Sequence, residues 1–259
     1  MSNNVTAPAA VMNYGGGRQT TAMLVLVKRG ILPSPDRIVI ADTGREKTST
    51  WDYRSEVTEP LANSMGMTIE IAPRELAYVD LYSHKGELLI PAFTKTGKLS
   101  AFCSTEWKQR VVRRYLKEQG IHSATAWIGY ALDERKRYKP NKEDESGPWY
   151  RSVPLLDLGL TKRDCIQIIE DAGLPLPPPS SCYMCPNMPN AEWLYIHDNY
   201  PADFDQACVL DEEVREEDIF NGGSGVWLHE SRVPLREADL TVPDRKDPVR
   251  QCGLGMCFV

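Results

Sequence analysis

Three consecutive glycines, Gly15-Gly16-Gly17, stand between a short apolar run at 9–14 (AAVMNY) and a helix-like stretch, TTAMLVLVKRG, that Gly30 closes. This order of strand, glycine turn and helix constrains the chain more than any other feature. Glycine lets the backbone turn sharply and aim several N–H groups at one point, where a helix N-terminus also favours negative charge. The expected product is a phosphate cradle, and a plain tight turn is the competing reading. A Walker A loop is excluded because the lysine of GxxxxGK[ST] is absent, and GxGxxG fails because Thr20 holds the third glycine position.

A second apolar run, RIVIA at 37–41, has the β-branched content of a buried strand and stops at Asp42-Thr43-Gly44. MTIEIA at 67–72 and TAWIGY at 125–130 read as further strands. Residues 47–66 are amphipathic enough for a helix that Pro60 should end or kink. From Ser104 a stripe of Trp107, Val111, Val112, Tyr115 and Leu116 predicts a helix stopped by Gly120. Thr161 to Asp164 has capping-box form and opens a helix that Gly173 ends. Residues 75–100 read as loops and minor elements, and 133–148 as a polar loop. Strands alternating with helices predict an α/β fold, an open, mostly parallel twisted sheet flanked by helices, with ligands at the carboxyl ends of its strands. The predicted division is an α/β domain over 1–175 and an irregular, cysteine-containing, Pro- and Gly-rich region over 176–259 packed on it.

The chain has 259 residues, 42% apolar and 25% charged, which excludes disorder, collagen and simple coiled coil. Its 30 Lys and Arg against 36 Asp and Glu leave a net charge of -6, so any nucleic-acid contact must be local. No run approaches the roughly 20 apolar residues that cross a bilayer. The start, MSNNVTAPAAV, lacks the basic flank and apolar core of a signal peptide. A cytoplasmic protein without membrane partners is expected. Seven cysteines in a reducing compartment read as ligands or reactive thiols rather than disulfides, with Cys165 and Cys208 expected in the core. His84, His122, His197 and His229 show no metal spacing and read as surface or packing residues. Eight acidic residues and one arginine over 203–218 predict a solvated helix face.

Gly15-Gly16-Gly17-Arg18-Gln19-Thr20 resembles the SGGxDS pyrophosphate loop of the PP-loop ATP pyrophosphatases, with Gly15 in place of the serine and Gln19 in place of the aspartate. Asp42-Thr43-Gly44 resembles the DTG of the phosphoadenosine phosphosulfate reductase branch. Cys103, followed by Lys108 and arginines, resembles that branch's cysteine-then-basic segment. Ile128-Gly129 and Asp133-Glu134-Arg135 resemble its G-x-R-x-D-E-S stretch, with Tyr130 for the arginine. The resemblance implies the adenine nucleotide alpha-hydrolase-like fold. It also implies ATP and Mg²⁺ held by Tyr14, Gly15, Gly16, Gly17, Arg18, Gln19, Thr20 and Thr21, with Asp42, Thr43, Gly44 and Gly129 completing the nucleotide site. Arg18 and Thr20 would take part in the chemistry. Residues 102–137 hold eight basic and four acidic groups, so Lys108, Arg110, Arg113, Arg114 and Arg135 are expected to receive an anionic substrate. An ordinary amphipathic helix with a solvated basic face is the alternative.

Cys182-x-x-Cys185 can present two thiolates to one metal. With Cys103 the pair resembles the iron–sulfur arrangement of adenylyl-sulfate reductases, with Ser104 in place of a second adjacent cysteine. Cys252 or Cys257 would complete the set. A [4Fe–4S] cluster and a structural zinc using 182, 185, 252 and 257 both fit these spacings. Gln251-Cys252-Gly253-Leu254 resembles the ECG[LI]H motif carrying the sulfonucleotide reductases' nucleophilic cysteine, with Gln251 for glutamate and Gly255 for histidine. Cys252 is therefore a candidate nucleophile, ligand or sulfur relay, and Cys103 a second catalytic candidate. The resemblance implies an ATP pyrophosphatase that adenylylates a substrate oxygen for sulfur insertion. DNA phosphorothioation is the first expectation, with a sulfonucleotide reductase or a tRNA thiolase as alternatives. The expected partners are a cysteine desulfurase or other sulfur donor, and DNA reached through companion proteins.

Overall fold

The computed structural model describes residues 8–138, 149–216 and 225–243. Its strands are β1 (Ala9–Asn13), β2 (Arg37–Ala41), β3 (Ile69–Ala72), β4 (Phe93–Thr94), β5 (Gly97–Lys98), β6 (Ala124–Trp127), β7 (Trp149–Ser152) and β8 (Val226–Trp227). Its α-helices are α1 (Arg18–Lys28), α2 (Thr48–Tyr53), α3 (Glu59–Asn63), α4 (Arg110–Glu118), α5 (Pro154–Asp157), α6 (Lys162–Glu170), α7 (Asn190–Asn199) and α8 (Pro201–Glu216). Five strands form one parallel sheet in the order β3-β2-β1-β6-β7. This is the open α/β sheet expected. The chain grows from β1 towards β3 on one side, then returns to place β6 on the other, so a switch point lies between β1 and β6.

Alternate residues of the buried strands feed two cores, as the period of a strand requires. Met12, Ile38, Ile40 and Ile69 pack under α1 and α6. Val11, Val39, Ala41, Ala124 and Trp149 pack against Val111, Val112 and Leu116 of α4. The stripe on α4 is the one its sequence predicts, although Thr105–Gln109 just before it is π-wound. The predicted helix over 47–66 is not cut at Pro60. The π-wound segment Arg54–Thr58 joins α2 to α3, and Pro60 falls in the first turn of α3, where no N–H is required of it.

A third core combines Leu81, Leu89, Ile90 and Trp107 with Met184, Trp193, Ile196, Phe204, Cys208 and Leu228. Residues 75–100 thus supply buried side chains and two strands, β4 and β5, of the small antiparallel sheet β5-β4-β8. The C-terminal region, expected to be irregular, carries α7, with Pro189 as its N-cap, and α8, which starts at Pro201. The expected solvated acidic face of α8 needs correction. Asp203 and Asp211 are buried. Asp203 accepts from Thr48 N–H and Oγ1, both at 2.8 Å. Asp211 accepts from the Leu228 N–H at 2.8 Å, the Leu235 N–H at 2.9 Å and Arg215 at 3.1 Å. These carboxylates satisfy backbone donors that would otherwise be unpaired, which offsets the cost of burying them.

The strand β7 escaped the sequence reading because its four residues, set in a five-residue stretch between Pro148 and Pro154, carry little period. Thr161 and Asp164 do form the predicted capping box, with Asp164 N–H on Thr161 Oγ1 at 3.2 Å and Thr161 N–H on Asp164 Oδ2 at 2.7 Å. Among the described residues no helix is long and apolar enough to cross a membrane.

Candidate active site

At the carboxyl end of β1 the chain turns through three glycines into α1. Gly16 takes a left-handed φ of +67°, and a Cβ there would lie 2.5 Å from Thr50 Cγ2. Gly17 has an ordinary φ of -102°, but a Cβ there would lie 2.5 Å from Ser180 Oγ. The bare backbone thus lets α2 and the segment around Ser180 close on the loop. Gly17 caps α1 without a side-chain bond, and the first turn carries no acid, so the positive end of the helix stays open to an anion. Thr20 braces the loop from within, accepting from Gly15 N–H at 3.3 Å and donating to Gly17 O at 3.2 Å. Arg18 Nε is buried without a hydrogen-bond partner among the described residues. A guanidinium N–H stranded at a helix N-terminus suits phosphate oxygens.

Two residues support this loop from behind. Tyr14 donates to Thr58 Oγ1 at 2.8 Å, and burial pushes its phenol up to about 12, so it is a neutral structural donor. Gln19 Nε2 donates to Glu134 Oε2 at 3.1 Å. Glu134 is buried and also meets Arg137 at 2.5 Å and Lys162 at 3.4 Å. Gly129 allows the exit of β6 to lie against α1, since a Cβ there would come 3.1 Å from Gln19 Cβ and 3.3 Å from Thr20 Cγ2.

The turn after β2 is the next wall. Asp42 Oδ1 accepts from Gly44 N–H at 2.7 Å. Gly44 has φ +65°, with the Arg74 side chain lying where a Cβ would point. Beyond it, Glu46 pairs as an isolated antiparallel bridge with Cys182, and Tyr183 N–H donates to Arg45 O at 2.9 Å. Glu46 Oε1 accepts from Lys108 Nζ at 2.8 Å, Thr43 Oγ1 at 3.3 Å and Cys182 Sγ at 3.9 Å. Its Oε2 has no hydrogen-bond partner among the described residues. Burial makes this ion pair sensitive to loss of either member.

The expected thiols converge. Cys103, Cys182 and Cys185 line one pocket with Ile90, Trp107, Met184 and Lys108. Thr43 Oγ1 lies 3.9 Å from Cys182 Sγ, so this pocket adjoins the Asp42-Thr43-Gly44 turn. The donor set suits a thiolate-held centre with apolar walls. Among the described residues no group of three His, Cys, Asp or Glu side chains is arranged to hold a metal ion. Cys252 and Cys257 lie outside the described residues. Burial pushes Cys165 up to about 12 and Cys208 up to about 11, which makes both inert core thiols.

The basic candidates are dispersed instead. Lys108 is buried against Glu46, and Arg110 closes on Glu106 at 2.6 Å. Arg114 covers the Tyr78 ring at 3.6 Å, and Arg113 lies over the Trp149 ring at 5.6 Å. Arg135 is exposed in the turn Leu132–Arg137. Of the histidines, His229 is buried between Asn190 Oδ1 at 2.8 Å and Ser231 Oγ at 2.7 Å, a packing role. Sequence reasoning missed Glu46, Thr50 and Ser180. The one signal was the charged pair Glu46-Lys47 directly after a strand-end turn. Its partners, Lys108 and Glu192, lie far along the chain.

No family model matches this sequence, and no curated protein matches it. Among solved structures, one similar to this chain is the U34-tRNA thiolase NcsA from Methanococcus maripaludis with its [4Fe-4S] cluster. The identity is 14%, the match covers 85% of this chain and 79% of that one, and the TM-score is 0.45.

Proposed function

We propose that this chain is an ATP pyrophosphatase of the PP-loop kind that activates a substrate oxygen for replacement by sulfur, with a DNA backbone phosphate as the acceptor. The observation that carries the reading is a shared wall. Ser180 rests on Gly17 of the anion cradle, and two residues later Cys182 enters the thiol pocket beside Thr43 and Glu46. A nucleotide held by the loop would lie next to sulfur chemistry. The choice of DNA rests on the reductase-like motifs Asp42-Thr43-Gly44 and Gly129 with Asp133-Glu134-Arg135. In an acidic chain, it requires companion proteins that bring the duplex.

The amides of Gly16 and Gly17, the α1 N-terminus and Arg18 would hold the β- and γ-phosphates, with Mg²⁺ riding on the phosphates. The α-phosphorus is then open to in-line attack by the acceptor oxygen. The oxygen–phosphorus bond forms, the bond to pyrophosphate breaks, and the acceptor carries AMP. A persulfide delivered by a cysteine desulfurase or carried on a local thiol attacks the activated phosphorus with its outer sulfur and displaces AMP, and a second thiol then attacks the inner sulfur, releasing the phosphorothioate and leaving a disulfide. Cys103, Cys182 and Cys185, completed by Cys252 or Cys257, would hold a [4Fe–4S] cluster. A structural zinc on Cys182, Cys185, Cys252 and Cys257 is the alternative occupant. Bound there, the cluster would supply an iron centre able to carry sulfur.

The test is pyrophosphate release from ATP by anaerobically purified protein. The expected result is stoichiometric pyrophosphate and AMP, stimulated by DNA with companion proteins. Stimulation by tRNA in place of DNA would reassign the acceptor. Sulfite made from adenylyl sulfate or its 3'-phosphorylated form, with no pyrophosphate from ATP, would replace the reading by that of a reductase.

A further inference from the structure

Cys182 and Cys185 stand at the two ends of one tight turn. Cys185 N–H donates to the Cys182 carbonyl at 3.1 Å across Tyr183 and Met184, and a turn of this kind brings its first and fourth Cα atoms within about 7 Å. A disulfide spans roughly 4.4–6.8 Å between Cα atoms, so the two sulfurs can be joined with little backbone movement. They are unbridged in the structure, and Cys185 is the more exposed of the two.

The thiol of Cys182 is engaged on the nucleotide side of the turn. Its Sγ lies 3.9 Å from both Thr43 Oγ1 and Glu46 Oε1, and its backbone pairs with Glu46. Two residues earlier, Ser180 Oγ lies 2.5 Å from the point where a Cβ on Gly17 would stand. The prolines at 177–179 fix φ along the approach, and Tyr53 holds the chain just before them by donating to Pro175 O at 2.7 Å. Closing a 182–185 disulfide swings the Cys182 sulfur away from Thr43 and Glu46. Glu46, whose Oε2 has no hydrogen-bond partner among the described residues, then loses a donor from its other oxygen. A segment stiffened by prolines absorbs little of this change locally, so it passes to Ser180 and the glycine loop.

We infer that Cys182 and Cys185 form a reversible disulfide that weakens nucleotide binding at the glycine loop. The inference rests on the proposed function, since it stops ATP use when the thiols of the pocket are tied up and cannot hold a sulfur centre. The oxidant is a small disulfide such as oxidised glutathione. One cysteine thiolate attacks a sulfur of the oxidant and expels a first glutathione thiolate. The other cysteine attacks the mixed disulfide and expels the second. Two cysteine thiols have then given up two protons and two electrons, and the oxidant has become two thiols. Dithiol and disulfide are discrete arrangements, which supplies the two-state element that coupling between sites requires.

The experiment takes the whole protein, purified anaerobically and freed of metal by a chelator that is then removed, and equilibrates it with reduced and oxidised glutathione. Peptide mass spectrometry maps the disulfide, and titration calorimetry with ATP and Mg²⁺ measures affinity. Oxidation should join Cys182 to Cys185 and weaken ATP binding about tenfold, and dithiothreitol should restore it. Cys185→Ser should remove the dependence on redox buffer, and Cys208→Ala should keep it in full. Ser180→Gly should still form the disulfide but lose most of its effect on ATP, because the seat on Gly17 transmits it. A disulfide made instead with Cys103, Cys252 or Cys257, no disulfide in oxidising buffer, or a 182–185 disulfide that leaves ATP affinity unchanged overturns the inference and leaves the pyrophosphatase standing. An undiminished effect in Ser180→Gly overturns the route through Gly17. Failure of the reduced protein to bind ATP defeats the proposed pyrophosphatase and the switch with it.

Discussion

Gln19 and Glu134 meet across the mouth of the glycine loop, amide to carboxylate, at 3.1 Å. Glu134 also accepts from Ala131 N–H at 3.3 Å and is balanced by Arg137 and Lys162. The neutral amide at position 19 is matched to a buried carboxylate already in place. Gln19→Asp should therefore destabilise the protein by about 1–3 kcal/mol, and more than Gln19→Ala does, because it removes a donor and adds a like charge. Urea unfolding of the three proteins checks the order. Equal stability of the aspartate and alanine variants would contradict the like-charge account.

The glycine loop offers a sharper contrast. Gly16→Ala meets both a left-handed backbone and Thr50, whereas Gly17→Ala meets only Ser180. Adding Ser180→Gly to Gly17→Ala should restore most of the lost stability and nucleotide affinity. Adding Thr50→Ala to Gly16→Ala should leave a residual cost of about 1–2 kcal/mol from the backbone alone. A double-mutant cycle with ATP titration measures both.

Iron analysis separates the thiols. Cys103→Ser, Cys182→Ser and Cys185→Ser should each lower the iron and sulfide content of anaerobically purified protein. Cys208→Ala, in the core away from the pocket, should retain both. Zinc in place of iron in the unaltered protein would remove the cluster from the proposal.

Lys47 is 1% exposed and pairs with buried Glu192, which also accepts from Ser181 Oγ at 2.6 Å. The pair ties the exit of β2 to α7. Lys47→Ala strands a buried carboxylate and should cost about 3–5 kcal/mol. Lys47→Met combined with Glu192→Leu should recover much of that loss. Thermal unfolding compares the two.

Glu70 supplies the acid-side prediction. Burial alone would raise its pKa, but hydrogen bonds from Arg37 and from Tyr115 at 2.9 Å outweigh burial and hold it below the usual carboxylate range. A depressed folded pKa gives stability that is present above the unfolded value, about 4.3, and is lost as pH falls through the folded one. Glu70→Gln should thus be less stable than the wild type at pH 7. The gap should close progressively below about pH 4.3. Denaturant titrations at several pH values follow it.

Much of the fold and part of the site were legible in the residues themselves. The glycine turn, the RIVIA strand, the α4 stripe and the Thr161 cap are set by dihedral preference, side-chain period and hydrogen bonds spanning a few residues. Such interactions are complete within their own segment, so they can be read before the chain is folded. The thiols at 103, 182 and 185 were named from spacing and resemblance, but their common pocket comes from packing. The burial of Asp203, Asp211, Glu46 and Lys47, the seat of Ser180 on Gly17 and the strand β7 were decided only by the tertiary structure. A charge reads as solvated until a distant partner arrives to replace water, and a four-residue edge strand acquires its conformation from the neighbour it pairs with.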